Sequence, residues 1–374
     1  MPSSAAAALL AAALSAAGPP ASEWRPVDPG HRWSFPRDHF SHPGYRTEWW
    51  YFTGHLEAAG PPAKELGFQF TLFRVGLLPE RPAIDSAWAA ANLVMGHAAV
   101  TDPAEGSHRF SEVLWRETPL LGAFAPFPGR PLAWSLAPAG SDGRWTLDWT
   151  GREFEVAMED REQGIAYRIS LRPEKPLAFH GPDGISRKSD QPGYASLYYS
   201  FTRLAVEGTA AVGGRTFAVR GRAWMDHEVA STQLAPDQVG WDWFALQLSD
   251  GRDLMVYQLR RADGSVSHQS ATVVGADGSA RWLDAGAVTV RVTRRWRSPA
   301  SGASYPAGWE IEAPSEGLRL VVEPSLADQE NRARRPSGLA YWEGSVRVRD
   351  ARGGDAGRGY VELTGYAPGS RLPL

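Results

Sequence analysis

The 374-residue chain has no cysteine, which excludes disulfide frameworks, thiolate metal sites and cysteine nucleophiles, so its stability must come from packing. Charge of one sign is also scarce. With 39 Lys+Arg against 42 Asp+Glu the formal charge is −3, and no long run of either sign occurs, so the footprint of a nucleic-acid binder is missing. The only long apolar run, Ala5 to Ala17, is shorter than the ~20 residues of a membrane-spanning helix. It reads as the core of a signal peptide over residues 1–22, although no Lys or Arg precedes it. That predicts a periplasmic or secreted protein with no stable membrane span. Helical spacing of apolar residues is rare, with Asp85 to Asn92 a short helix or loop at most. No glycine-rich phosphate loop opens a helix, so no nucleotide is implied, and the expected cofactor is none.

What is abundant is turn residues and tryptophan: 39 Gly, 29 Pro and 16 Trp. Short aromatic and β-branched stretches, among them Glu48 to Leu56, Leu66 to Val75, Thr216 to Trp224, Trp241 to Leu248 and Leu254 to Leu259, read as strands. Between such runs lie Asp142-Gly143, Gly213-Gly214, Asp250-Gly251, Asp263-Gly264 and Asp277-Gly278, which supply the positive φ of hairpin turns. An internal repeat adds the architecture. Trp49-Trp50-Tyr51-Phe52-Thr53-Gly54-His55-Leu56 lies over Trp241-Asp242-Trp243-Phe244-Ala245-Leu246-Gln247-Leu248, about half the mature chain away. The reading is all-β: two consecutive antiparallel β-barrel domains, residues 23–235 and 236–374. Alternation places Trp49, Tyr51 and His55 on one strand face, as it does Trp241, Trp243 and Gln247. A barrel of about eight strands has room for one small ligand inside.

The segments HPGYRTEWWYFTGHL from His42, GFQFTLFR from Gly67, SLYYSFTRL from Ser196, GRAWMDHE from Gly221, GWDWFALQL from Gly240, LMVYQLR from Leu254, YWEGSVRV from Tyr341 and GYVELTGY from Gly359 resemble the AttH-like family, also called predicted secreted hydrolases. That family is related to carotenoid 1,2-hydratases and, more distantly, to fungal kievitone hydratase and Diels–Alderase proteins. The resemblance implies lipocalin-like domains with a ligand site between or within them. It also implies counterparts of hydratase residues in Asp226, His227, Trp241 and Tyr257.

The hydrolase name finds no motif. G-x-S-x-G is absent, and so is a His pair one helical turn apart in an H-E-x-x-H arrangement. No metal site is expected, and His39 and His42, three apart in a Pro/Gly-flanked loop, read as surface histidines. Hydration, isomerisation or cyclisation of an apolar alkene asks instead for a desolvated acid, aromatic faces to stabilise a cation, and a base to direct water. The residues available are the acids and bases Asp226, His227, Glu228 and Tyr257, with a wall of Glu48, Trp49, Tyr51, Trp224, Trp241 and Trp243. Neighbours on a strand point to opposite faces, so Asp226 and His227 share a pocket only if the strand ends or bulges there. More ordinary roles compete with these: Trp241 and Trp243 as barrel plugs, Tyr257 as core, Asp226 paired with Arg222, and Tyr341-Trp342-Glu343 as a plain barrel strand. Arg74 and Arg260, at matching places in the repeat, suit either an acidic ligand head or inter-domain ion pairs. The expected partner is a lipophilic, isoprenoid-like small molecule. The alternative is a non-catalytic carrier of that lipophile beside an ABC transporter of the cell envelope.

Overall fold

A computed structural model describes residues 23–60, 63–335 and 338–369. The apolar run Ala5 to Ala17 lies outside them. Among the described residues, twenty-five strands form in chain order. The first thirteen are β1 Thr47–Ala58, β2 Lys64–Gly76, β3 Asn92–Asp102, β4 Ser107–Arg116, β5 Gly122–Phe124, β6 Ala133–Leu136, β7 Arg144–Trp149, β8 Phe154–Asp160, β9 Ile165–Pro173, β10 Ala178–Phe179, β11 Ile185–Arg187, β12 Ala195–Val212 and β13 Arg215–Thr232. The remainder are β14 Gln238–Leu248, β15 Asp253–Arg261, β16 Val266–Val274, β17 Ala280–Leu283, β18 Thr289–Val292, β19 Arg295–Arg297, β20 Ser304–Pro306, β21 Trp309–Ala313, β22 Leu318–Pro324, β23 Glu330–Arg332, β24 Ala340–Asp350 and β25 Asp355–Leu363. Asp85 to Ala91 is loop, and no helix among the described residues is long and apolar enough to cross a membrane.

The strands form two lipocalin-like antiparallel units. In the first sheet the order is β4-β3-β2-β1-β13-β12-β9-β8-β7-β6-β5; in the second it is β17-β16-β15-β14-β25-β24-β22-β21-β18. Over the nine strands of the second path the two orders correspond, with β1 and β14 in the same place and β6 and β5 extending the first, so the short sequence repeat marks a duplication of the unit. The first sheet curls until it nearly closes, Trp115 on β4 donating its indole N–H to Leu136 O on β6 at 3.0 Å. The second is a more open half-barrel. Hairpin glycines between strands, from Gly213 at φ +59° to Gly251 at +90°, take the left-handed backbone that other residues disfavour.

Each interior is filled by side chains. Trp50, Phe52, Phe68, Phe70, Trp145 and Phe154 pack inside the first unit, and Phe244, Trp309 and Trp342 inside the second. The barrels are therefore cores, with the apolar content of ordinary packed interiors. The other face of β1 is buried too, because the outer faces of the two sheets pack on each other: Tyr51, Tyr198 and Trp224 meet Trp243, Tyr257 and Tyr360 there. Register makes this contact pseudo-two-fold. Gly54 pairs with Ala223 as Leu246 pairs with Gly359. Correspondingly, His55 meets Gly359 O at 2.9 Å, while its repeat counterpart Gln247 donates to Ala223 O, also at 2.9 Å. Gly67 has no side chain where Tyr360 arrives, and a Cβ there would lie 2.7 Å from the Tyr360 hydroxyl. Between the units, Lys175 and Arg203 clasp the buried Asp253 at 2.6 and 2.7 Å.

Arg74 and Arg260 do not form inter-domain ion pairs. Each closes on an acid of its own unit, Arg74 on Glu48 at 3.0 Å and Arg260 on Asp242 at 2.8 Å. Around Glu48 the ion pair grows into a buried knot. Its second oxygen meets His42 Nδ1 at 2.7 Å and His227 Nε2 at 2.9 Å, and Tyr199 OH bridges His227 to His39 at 2.9 and 2.8 Å. The reading of His39 and His42 as surface residues is thus corrected: His39 is buried, and His42 is half-buried at the end of the first barrel. His42, Glu48 and His227 lie close enough together to ligate a metal ion. The Arg74 guanidinium on the same carboxylate, however, already supplies the positive charge that an ion would bring. Burial works against the Glu48 anion, but His42, His227 and Arg74 outweigh it and hold its pKa well below the ordinary carboxylate value.

Burial opposes protonation of His42 as well, yet Glu48 and Asp38 raise its pKa to about 9. A histidine raised from 6.5 stabilises the fold fully below that pH and loses the effect as pH rises through about 9. Urea unfolding is therefore expected to show wild-type stability falling from about pH 6 to about 9 and a flatter profile for His42→Phe. Glu48→Ala, which strands the buried Arg74, is expected to lower stability by about 3–5 kcal/mol at neutral pH.

Candidate functional site

The inter-domain face does not pack completely; it leaves a cavity of about 90 Å³. Two sheets build its walls. β1, β13 and β12 bring Trp49, Tyr51, Glu228, Asp226 and Tyr198; β14, β15, β24 and β25 bring Trp241, Trp243, Tyr257, Tyr341, Glu343 and Glu362. Phe73, Met95, Leu234, Leu259 and Leu339 complete an apolar lining. The cavity thus lies between the barrels, and neither barrel interior provides it.

Alternation along β13 sorts the Asp226-His227-Glu228 triplet. Tyr51 pairs with Asp226 and Trp49 with Glu228 on the cavity side, whereas His227 pairs with Trp50 on the core side. His227 does not line the cavity; it stacks on Trp50 at 4.8 Å and belongs to the Glu48 knot. Glu48 borders the cavity, but His42, His227 and Arg74 engage its carboxylate. Trp224 is not in the wall itself; its indole N–H holds Asp226 Oδ1 at 2.6 Å. Tyr257 is in the wall, with its hydroxyl fixed by Ser186 Oγ at 2.8 Å and Arg187 O at 2.6 Å. The Asp226–Arg222 pairing is corrected as well: Arg222 sits outside, 3.4 Å from Glu174.

Asp226 is fully surrounded. Tyr198 OH donates to Oδ2 at 2.7 Å, and Ser200 and Trp224 donate to Oδ1. Ser200 in turn meets His180 Nε2 at 2.7 Å. Burial favours the neutral acid more strongly than these donors favour the anion, and the nearby Glu228 adds to it, so the pKa rises to about 7. Glu228 itself is an ion-pair partner, 2.5 Å from Lys188 Nζ and 2.5 Å from Ser196 Oγ. Burial opposes the Lys188 charge, but Glu228 outweighs it and raises that pKa. The ammonium also lies 4.2 Å over the Tyr257 ring.

Across the cavity, the duplication sets Glu362 opposite Trp243 as Asp226 is set opposite Tyr51. Glu362 accepts from Trp241 Nε1 at 3.1 Å, and burial, against that bond and with Asp226 and Glu228 nearby, raises it to about 7 too. Its register partner Glu343 is buried and accepts from Tyr51 OH. Sequence reasoning missed Lys188, Tyr198, Ser200, Glu343 and Glu362. The one available signal was the repeat: carrying the Tyr51–Asp226 pairing onto the second copy leads to Glu362.

Two lipocalin-like units packed face to face around an aromatic cavity bordered by five carboxylates define the class of this protein. The chain belongs to the AttH-like family, whose model matches residues 26–366. A solved protein from Nitrosomonas europaea assigned to AttH is 32% identical, with a TM-score of 0.77 over 92% of this chain and 100% of that one. Kievitone hydratase from Nectria haematococca shares the fold at 12% identity, with a TM-score of 0.63 over 92% of this chain and 97% of that chain. No curated protein sequence matches the chain.

An acid raised from 3.8 to about 7 holds its proton in the folded protein after the unfolded chain has released it, so its stabilising effect is full below about 3.8 and lost as pH rises through 7. Wild-type stability is expected to fall between about pH 5 and 8, and Asp226→Asn should fall less over that range, with Glu362 keeping part of the slope. Denaturant unfolding at both pH values checks this, and a flat wild-type profile would contradict it.

Proposed function

We propose that the inter-domain cavity binds a lipophilic, isoprenoid-like molecule and that Asp226 acts on it by acid-assisted addition of water, isomerisation or cyclisation. The observation that carries this reading is a carboxyl group raised to about 7, within an apolar, tryptophan-lined cavity. At neutral pH such a group is divided between acid and base, as proton transfer in both directions requires.

In the hydration form of the reaction, Asp226 gives its proton to one alkene carbon, and the π electrons form the new C–H bond, leaving a cation on the other carbon. The faces of Trp241 and Trp243 are worth roughly 0.5–2 kcal/mol each to that cation. The donors from Tyr198, Ser200 and Trp224 receive the negative charge that Asp226 acquires. A water oxygen then bonds to the cation, and its surplus proton returns to Asp226, so that H and OH are added across the double bond. The hydratase name of the Nectria haematococca protein is consistent with this chemistry on the fold, although fold alone assigns none. Export to the periplasm or beyond, and delivery of the lipophile by an envelope transporter, are parts of the same proposal.

Native mass spectrometry of the protein purified from its own host, followed by extraction and incubation of any bound lipophile, tests this. Asp226→Asn is expected to slow turnover by roughly 100-fold or more with binding retained, and Trp241→Ala to weaken binding. A bound lipophile that wild type and Asp226→Asn release equally unchanged would establish a carrier instead.

A further inference from the structure

Three polar atoms lining the cavity, Gln233 Nε2, His97 Nε2 and Glu343 Oε2, have no hydrogen-bond partner among the described residues. His97 and Glu343 are each 1% exposed. A buried polar group left unpaired costs about 1–3 kcal/mol, so unpaired groups gathered in one wall call for ligand atoms that pair with them.

The network behind His97 and Glu343 fixes what each presents. His97 Nδ1 lies 2.8 Å from Tyr341 OH, and Gln69 Nε2 donates to the same hydroxyl at 3.4 Å. Gln69 Oε1 is occupied by Asn331 Nδ2 at 3.2 Å, and Asn331 Oδ1 by His108 Nε2 at 2.8 Å. With an amide donor on one side, the acceptor left for the Tyr341 proton is His97 Nδ1. That tautomer carries its hydrogen on Nε2, the atom without a partner. Burial lowers the His97 pKa to about 3, so the ring stays neutral. On Glu343, Tyr51 OH donates to Oε1 and leaves Oε2 to carry the acid proton. Burial and the neighbouring Glu362 carboxylate, against the Tyr51 bond, raise Glu343 well above the ordinary value. Tyr341 and Glu343 are two apart on β24 and so share a face, and His97, held by Tyr341, lines the same cavity as Glu343.

We propose that His97 Nε2–H and Glu343 Oε2–H form a two-donor subsite for an acceptor-only oxygen, and that the ligand is therefore a lipophile carrying a carbonyl group rather than a plain hydrocarbon. The inference rests on the cavity being the lipophile site and adds the substrate class. A carbonyl oxygen has two lone pairs and no hydrogen, so it pairs with two converging donors, whereas a hydrocarbon leaves both unpaired. The Asp226 cluster, also in the cavity wall, remains free to act on a carbon of the same molecule.

The test uses β-ionone, a conjugated isoprenoid ketone, against the hydrocarbon of the same skeleton lacking the oxygen, with binding read by quenching of tryptophan fluorescence in the full chain. Wild type is expected to prefer the ketone by roughly tenfold or more; His97→Phe and Glu343→Leu each should reduce that preference roughly three- to tenfold, and Glu343→Gln, which keeps an N–H donor, should retain it. Infrared spectra of the bound, carbonyl-labelled ketone give a second readout that needs no variant: the C=O stretch should move to lower frequency than in hydrocarbon solvent. Equal binding of ketone and hydrocarbon by wild type, with an unshifted stretch, would overturn the subsite while leaving the lipophile cavity in place. Failure of wild type to bind either molecule would overturn both readings.

Discussion

The arrangement depends on one contact, the packing of the outer face of the β1–β13–β12 layer against the outer face of β14, β25 and β24. A half-buried antiparallel strand ordinarily shows one apolar face and one polar face. Here the central strands are covered on both sides, by a barrel core and by the other unit, and this accounts for aromatic residues in both phases of Trp49-Trp50-Tyr51-Phe52. The same constraint makes the cavity. Two convex sheets related by a pseudo-two-fold touch along their middle strands and diverge beyond, and the space between them is closed by large side chains and by the loop segment that bears Lys188.

Duplication followed by divergence explains the division of labour within the site. Equivalent positions hold Tyr51 and Trp243, Asp226 and Glu362, and Ser200 and Glu343. One copy surrounds its carboxyl group with three donors. The other sets two carboxyl groups side by side with few donors; burial raises both, Glu362 to about 7 with Asp226 and Glu228 nearby, and Glu343 further, with the Glu362 carboxylate adding to it. Asp226 and Glu362, both balanced near neutrality, thus share the cavity with Glu343, which burial holds protonated, an asymmetry that two identical units would not have.

The Glu48 knot shows how the core side of the same strands serves the cavity side. Glu48 and His227 stand one residue away from Trp49 and from Asp226 and Glu228, facing the other way. With the Glu48 charge paired by Arg74 and His42, and His227 hydrogen-bonded to the same carboxylate, they pin β1 to β13 at the level of the cavity. Such a pair contributes little net stability over a well-packed apolar alternative, but losing one member strands the other, so the geometry is held.

Much of this was legible in the sequence because it is periodic or local. Alternating aromatic strands, Asp-Gly and Gly-Gly turns and the Trp49/Trp241 repeat carry the all-β, duplicated architecture, since strand period and turn chemistry are properties of neighbouring residues. The separation of Asp226 from His227 onto opposite faces followed in the same way from strand geometry. What only the tertiary structure decided is which buried face meets which partner. Strand periodicity says that Trp49 and Trp50 diverge, but with both faces apolar it cannot tell core from interface. Nor does any local rule bring Lys188 to Glu228, Tyr51 to Glu343, or His97 to Tyr341, residues separated by 40, 292 and 244 positions. Those encounters, and the protonation states that follow from the burial they impose, exist only once the two sheets have closed on each other.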